Sequence, residues 1–271
     1  AATLAALAAG PCAADPVQRR QHVVRCRDAA DCTAEAQAAL DAGGEAVFAA
    51  QLYVVQPLFI RVDRLTVTFA AGARLEALRG GFRGVGGSLV TAANVSDLTI
   101  RGSCAAGAPP STWAMWREDY LNASQGYANQ GYRHGLRLEN VHRATVSCLT
   151  ISDTGGDGVY IAGTSGKGVA PTPGSSDVTL SRLSLLRNQR QGMSVIGALH
   201  LLVEDSLFAD TNGSEPMAGV DLEPNHATDA LHDVTFRRCV ARANGGGGFQ
   251  MYLLRGIMIP KWLFLTAVFR P

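Results

Sequence analysis

The sequence predicts an all-β solenoid: a right-handed parallel β-helix of stacked three-strand coils with a short N-terminal capping helix. Three observations predict it. First, five segments repeat one pattern, a residue, then glycine, then apolar–x–apolar: HGLRL (134–138), DGVYI (157–161), QGMSV (191–195), AGVDL (218–222) and GGFQM (247–251). Second, each repeat contains another strand with inward apolar positions, as in Val146/Leu149/Ile151, Leu180/Leu183/Leu185, Val203/Ser206/Phe208 and Phe236/Cys239/Ala241. Third, no long run with a 3.6-residue period separates these strands, which argues against a globular α/β chain. A coil of this kind cannot bury its inner face alone, but stacked coils bury a continuous aliphatic column.

The elements follow in chain order. Residues 1–14 are small and apolar, fitting the tail of a signal-peptide h-region or an Ala-rich disordered terminus. The first reading makes the chain secreted, and the sequons at Asn94, Asn122 and Asn212 are compatible with it. The β-helix domain is expected over 15–252. At its start, TAEAQAALDAGG (33–44) predicts a short helix, with Thr33 as N-cap and Gly43-Gly44 as the stop. Such a helix covers the open end of the solenoid. Less regular strands follow around Val47/Phe48, 52–55, 58–60, Leu65/Val67/Phe69, Leu89/Val90 and Leu98/Ile100.

Residues 104–134 read as the longest insertion, and they hold Trp113, Trp116, Tyr120, Tyr127 and Tyr132. The repeat glycines beyond it (135, 158, 192, 219, 248) are spaced by 23, 34, 27 and 29 residues. A base coil of 23 residues with inserted loops explains these gaps, and GTSGKGVAPTPGSS (163–176) fills the longest. Asp153, Asn188, Asp210 and Asn244 suit the turns, because Asn and Asp tolerate left-handed backbone. The tail 253–271 abandons the repeat and reads as a cap or as the incomplete end of a longer β-helix; it is too broken for a membrane span.

The bulk composition narrows the partners. Of 271 residues, 30 are Gly and only 17% are charged, with a formal net charge of +1. No general basic surface exists for nucleic acid. The chain is expected to be a monomer with no membrane span. Its six cysteines form no CxxC pair and no zinc pattern. Cys26 and Cys32 are close enough to bridge in an oxidising compartment, while Cys239 falls on a core slot as an inert thiol.

The repeat over 134–251, with the opening DCTAEAQAALDAGGEAVF, resembles the right-handed parallel β-helix proteins of the pectin-lyase-like superfamily. That resemblance implies the fold and is weak for function, because members include pectate lyases, polygalacturonases, uronan epimerases and non-catalytic adhesins. Polygalacturonases carry Asn-Thr-Asp-Gly, Asp-Asp and Gly-His-Gly on successive coils. Here only Asp157-Gly158 matches, so a polygalacturonase is not expected.

Equivalent positions of stacked coils fall in lines. The slot before each glycine holds His134, Asp157, Gln191, Ala218 and Gly247; the outward slot of the strand holds Arg137, Tyr160, Ser194, Asp221 and Gln250. Two residues on stand Glu139, Ala162, Ile196, Glu223 and Tyr252. Glycoside hydrolysis needs one protonated and one ionised carboxyl flanking the bond. Asp157, Asp221 and Glu223 are the candidate catalytic acids, and His134, Arg137, Tyr160, Gln191, Trp113 and Trp116 the candidate substrate contacts. Plainer readings stand beside these: Asp157 bonding turn amides, Asp221 and Glu223 as solvated or cation-paired acids, and the aromatic insertion packing on itself.

The leading expectation is a polysaccharide hydrolase working without a cofactor or metal. An alternative is a uronan lyase or epimerase, using His134, Arg137 and Tyr160 with calcium. A third is a non-catalytic carbohydrate-binding or structural solenoid.

Overall fold

The computed structural model describes residues 20–84, 87–128, 131–165 and 168–253, and the backbone of 263–267. The segment 1–14, Cys12 and residues 254–262 lie outside the described residues.

Each coil passes through three strands, and among the described residues every strand pairing between coils is parallel. The first face stacks His142–Ser147, Ser175–Ser181, Ala198–Glu204 and the first half of Leu231–Arg242. Val146, Leu180, Val203 and Phe236 thereby form one buried column. The second face stacks Leu149–Ser152, Ser184–Leu186, Leu207–Ala209 and the second half of Leu231–Arg242. The third face stacks Leu136–Glu139, Val159–Ala162, Met193–Val195, Val220–Leu222 and Phe249–Met251. Among the described residues, faces one and two count as a single 15-stranded sheet, because Leu231–Arg242 runs through their shared corner. The third face is a seven-stranded sheet.

The strand read from the sequence as Val146/Leu149/Ile151 is therefore two strands bent at a corner. Cys148, Arg182, Asp205 and Arg238 occupy that corner with φ of 60°, 52°, 53° and 53°. A single left-handed residue turns the chain while keeping apolar side chains inward on both sides. The next corner repeats the device at Asp153, Arg187, Asp210 and Ala243. Asp153 and Asp210 thus stand where turn residues were expected. Asn188 and Asn244 lie one place further on, and their Oδ1 atoms accept the N–H of Thr154 and Thr211 in neighbouring coils.

The repeat glycines have a steric cause. A Cβ on Gly158 would lie 2.7 Å from the carbonyl oxygen of Gly192, and a Cβ on Gly192 would strike that of Gly219. Each glycine lets the next coil pass directly beneath it.

The capping helix spans Thr33–Asp41 and buries Ala36, Ala39 and Leu40 against the first coil. Its N-cap is Cys32, not Thr33. The Thr33 hydroxyl bonds Asp31 and accepts the Gln56 N–H instead, while Cys26 and Cys32 form a disulfide. Gly43 and Gly44 end the helix with φ of 71° and 72°. A second disulfide, Cys104–Cys148, was not anticipated; Cys239 is free and buried.

Two expectations are corrected. Ser111–Ala114, inside the expected insertion 104–134, is a strand of the second face, paired with Arg74–Ala77 and Leu149–Ser152. The tail 253–271 does not wholly abandon the repeat, because Leu263–Ala267 pairs in parallel with Leu231–Arg242.

Candidate functional site

The outward row of the third face has the register expected from the glycine spacing: Arg137, Tyr160, Ser194, Asp221 and Gln250 lie side by side on successive strands. Alternation turns Val220 and Leu222 into the core and Asp221 and Glu223 outward, about 7 Å apart along the strand. Asp221 and Glu223 line one cleft of about 270 Å³, with Glu215, Pro216, Gln250 and Tyr252.

The two acids have different surroundings. Asp221 is only 1% exposed, and its Oδ2 accepts a 2.7 Å hydrogen bond from Gln191 Nε2. Burial and the neighbouring Glu223 charge push its carboxyl up to about 6, against the opposing Gln250 amide and Arg190 charge. Glu223 is partly exposed and accepts a 3.2 Å hydrogen bond from Arg190 Nη2. The Gln191 amide is itself held, because its Oε1 accepts the Ala218 N–H at 3.0 Å.

Behind this pair lies a buried charge network. Arg190 Nη1 stands 3.6 Å from Asp157 Oδ2, so one guanidinium joins Asp157 to Glu223 and keeps the two carboxylates within about 9 Å. Asp157 is fully buried and does not line the cleft. Neither of its oxygens has a hydrogen-bond partner, although His134 Nδ1 lies 3.3 Å from Oδ2. His134, 1% exposed, accepts the Asp157 backbone N–H at 3.1 Å and stacks on Tyr160 with ring centroids 4.6 Å apart. Asp157 is therefore a buried partner of Arg190 and not one of an accessible acid pair.

The other expected substrate contacts disperse. Arg137 is paired with Glu139 at 3.0 Å and lies over the Tyr160 ring. Burial pushes the Tyr160 hydroxyl up to about 12, with Arg137 opposing. Trp113 is a correction: it is 1% exposed in the core, sharing a register position with Leu75 and Ile151 and packing on Phe69. It cannot meet a sugar. Trp116 is half-buried in a different cleft with Glu76, Arg79 and Arg117, where its Nε1 donates to the Ala77 carbonyl at 2.7 Å. Tyr120 and Tyr127 pack edge to face beneath the Arg133 guanidinium, which donates to the carbonyls of Phe82, Gly84 and Ala128. The aromatic insertion is thus largely a self-packed cover.

Sequence reading did not single out Arg190. Extending the slot table by one residue would have found it, two places before Gly192 and beside Gln191. Among the described residues no group of three or more His, Cys, Asp or Glu is arranged to hold a metal ion, and no helix is long and apolar enough to cross a membrane.

Stacked parallel coils, with an acid-lined cleft on one face, define a β-helix protein. The profile of the family described as right handed beta helix region matches residues 83–257, and the chain belongs to that family. It is 27% identical over 141 residues to the SPbeta prophage-derived uncharacterized protein YorA of Bacillus subtilis, covering 49% of this chain and 24% of that protein. The chain thus spans about a quarter of that relative's length.

Two of the solved structures that share the fold illustrate the likeness. One is a 1,3-α-1,4-β-D-galactose-4-sulfate-3,6-anhydro-D-galactose-2-sulfate 4 galactohydrolase, with TM-score 0.62 and 13% identity over 83% of this chain and 53% of that one. The other is a hyperthermoactive exopolygalacturonase from Thermotoga maritima, with TM-score 0.53 and 11% identity over 82% of this chain and 66% of that one.

Proposed function

We propose that the protein is a secreted glycoside hydrolase acting on a polysaccharide, with Asp221 and Glu223 as its catalytic acids. The observation that carries this reading is two carboxyls lining one cleft in unlike environments. Environments that drive two acids apart are how a site obtains a proton donor and an ionised base at one pH. Asp221, pushed up to about 6, is the donor to the glycosidic oxygen. Glu223, held by Arg190, takes a proton from the water that attacks the anomeric carbon as the C–O bond to the leaving sugar breaks. Gln191 orients Asp221, and Asp157 with His134 supports Arg190 from below. The solved β-helix hydrolases that share the fold favour a polysaccharide substrate, and the two disulfides favour an oxidising, extracellular setting.

The test is a product screen on neutral, amino-bearing and acidic polysaccharides, with calcium and with chelator, reading both reducing ends and ultraviolet absorbance. Hydrolysis gives reducing ends without absorbance, and Asp221→Asn or Glu223→Gln lowers turnover by at least about a hundredfold. Retained turnover in both variants sinks the assignment. Absorbance from an unsaturated, calcium-dependent product supports a uronan lyase instead, and silence in every arm supports a binding solenoid.

A further inference from the structure

The left-handed residues of the coils stack in rows from one coil to the next. In the row that opens the first face, Arg64, Asp97, Arg143, Asp177, His200 and Asp233 succeed one another, each with φ between 52° and 60°. At the corner between the first and second faces the row is Cys148, Arg182, Asp205 and Arg238. At the following corner it is Asp153, Arg187, Asp210 and Ala243. With His200 taken as a base, every pair of charged neighbours within these rows has opposite sign. Direct contacts join several of them. Arg143 donates to both carboxylate oxygens of Asp97 at 2.7 and 3.0 Å, Arg187 to those of Asp153 at 2.9 and 2.7 Å, and Arg238 to those of Asp205 at 2.6 and 2.8 Å. His200 Nδ1 stands 3.2 Å from Asp177 Oδ1. In each pair the acid belongs to one coil and the base to the next.

Backbone preference does not explain the arginines. Left-handed backbone is strained for a residue with a Cβ and is eased chiefly in Gly, Asn and Asp. Yet Arg64, Arg143, Arg182, Arg187 and Arg238 all adopt it. Those coils need a cation at the position more than they need a turn former. The core does not tell one coil from another, because each coil turns aliphatic side chains into the same column. Apolar burial alone favours a coil laid beside the wrong neighbour almost as much as beside the right one. The rows do discriminate, because residues two coils apart carry the same sign: Arg64, Arg143 and His200; Asp97, Asp177 and Asp233; Arg182 and Arg238; Asp153 and Asp210. Skipping a coil sets like charges side by side, and so does laying a coil against its own copy in a second chain.

We propose that the three rows are a charge code for coil stacking, which admits each coil beside its neighbour in sequence and rejects a skipped coil or the same coil of a second chain. Exposed ion pairs add little stability one by one, and the Arg187 and Asp153 side chains are 48% and 30% exposed. The rows act instead by making the wrong neighbour costly. The row Asp153, Arg187 and Asp210 isolates this effect, because the register positions on either side of it hold the uncharged Met115 and Ala243.

The experiment refolds three variants of the intact protein from denaturant, disulfides oxidised, at low and at high salt. Recovered monomer is measured by size-exclusion chromatography with light scattering. Arg187→Asn removes the charge and keeps a residue suited to left-handed backbone. Arg187→Asp places three acids in the row. The third variant adds Asp153→Arg and Asp210→Arg to Arg187→Asp, which restores alternation with every sign inverted. At low salt Arg187→Asp should recover at least about threefold less monomer than Arg187→Asn, and high salt should narrow the gap. The inverted row should recover at least as much as Arg187→Asn. Equal recovery of Arg187→Asn and Arg187→Asp overturns the proposal, and so does an inverted row no better than Arg187→Asp. If Arg187→Asp gives no folded protein, the inverted row decides: its monomer supports the code, and its failure to fold overturns it.

Discussion

Replacing Asp221 by Asn should stabilise the fold while removing the proposed proton donor. In the folded chain this carboxyl titrates at about 6, against an ordinary value of 3.8. A folded-state value raised above the unfolded one means that ionising the group favours unfolding. Below 3.8 both states bind the proton and the group makes no difference; between 3.8 and about 6 the cost grows with pH; above 6 it is fully present. The difference amounts to about 3 kcal/mol at neutral pH. Asn is close in shape, and its Oδ1 can still accept the Gln191 amide that now bonds Asp221 Oδ2 at 2.7 Å. For a chain of this size such a gain raises Tm by roughly 6–12 °C. The assay is a set of thermal melts of both proteins from pH 3.5 to pH 8. The difference in Tm should be near zero at the acid end and open through the interval between 3.8 and 6. A constant difference, or a variant that melts lower at pH 8, would refute the claim that burial and Glu223 strain this carboxylate.

Five other substitutions separate structural from site residues. Arg190→Met strands the fully buried Asp157 without its cation and should cost about 3–5 kcal/mol, read as a lower denaturation midpoint. Trp113→Ala removes a buried ring from the core and should cost about 3–5 kcal/mol, whereas Trp116→Ala, a half-buried change, should cost much less; neither should alter glycan affinity in protein that remains folded. Gly158→Ala places a methyl 2.6 Å from Asn188 Nδ2 and 2.7 Å from the Gly192 carbonyl and should destabilise by about 1–3 kcal/mol. Gly84→Ala, with open space around its Cβ, should stay within about 0.5 kcal/mol of wild type.

The fold was legible because a solenoid writes its geometry into its spacing. Once Gly135, Gly158, Gly192, Gly219 and Gly248 were aligned, the backbone pairing of the third face followed residue by residue. The glycines could serve as markers because Gly135, Gly158, Gly192 and Gly219 each permit the carbonyl of the next coil to pass beneath. The corner at Cys148 was not legible: the left-handed residues there are Cys, Arg, Asp and Arg, and no single residue type announces the turn. Trp113 was misread for a related reason. Its strand is four residues long and follows Pro109-Pro110, so it looked like loop, although Ser111 and Trp113 alternate inward.

The site was half legible, and the division follows the physics of a coil stack. Period alone decides which side chains share an outward row, and that placed Asp221 beside Gln250 and Ser194 correctly. Period does not decide which of those outward side chains the inserted segments cover. Asp157 and His134 were expected on an open face, yet both lie buried beside the Arg190 network. Burial changes their chemistry from contact to support. A charged side chain that must stay paired inside a low-dielectric wall is suited to fixing another group in place. Arg190 connects that wall to the cleft, with one nitrogen toward Asp157 and another toward Glu223. The consequence is that the cleft's acids and their support come from different coils. The position of Glu223 relative to Asp221 is set by one strand, while the charge that holds Glu223 is set by the turn of the preceding coil. Lengthening that turn would leave the strand register intact and still dismantle the pair.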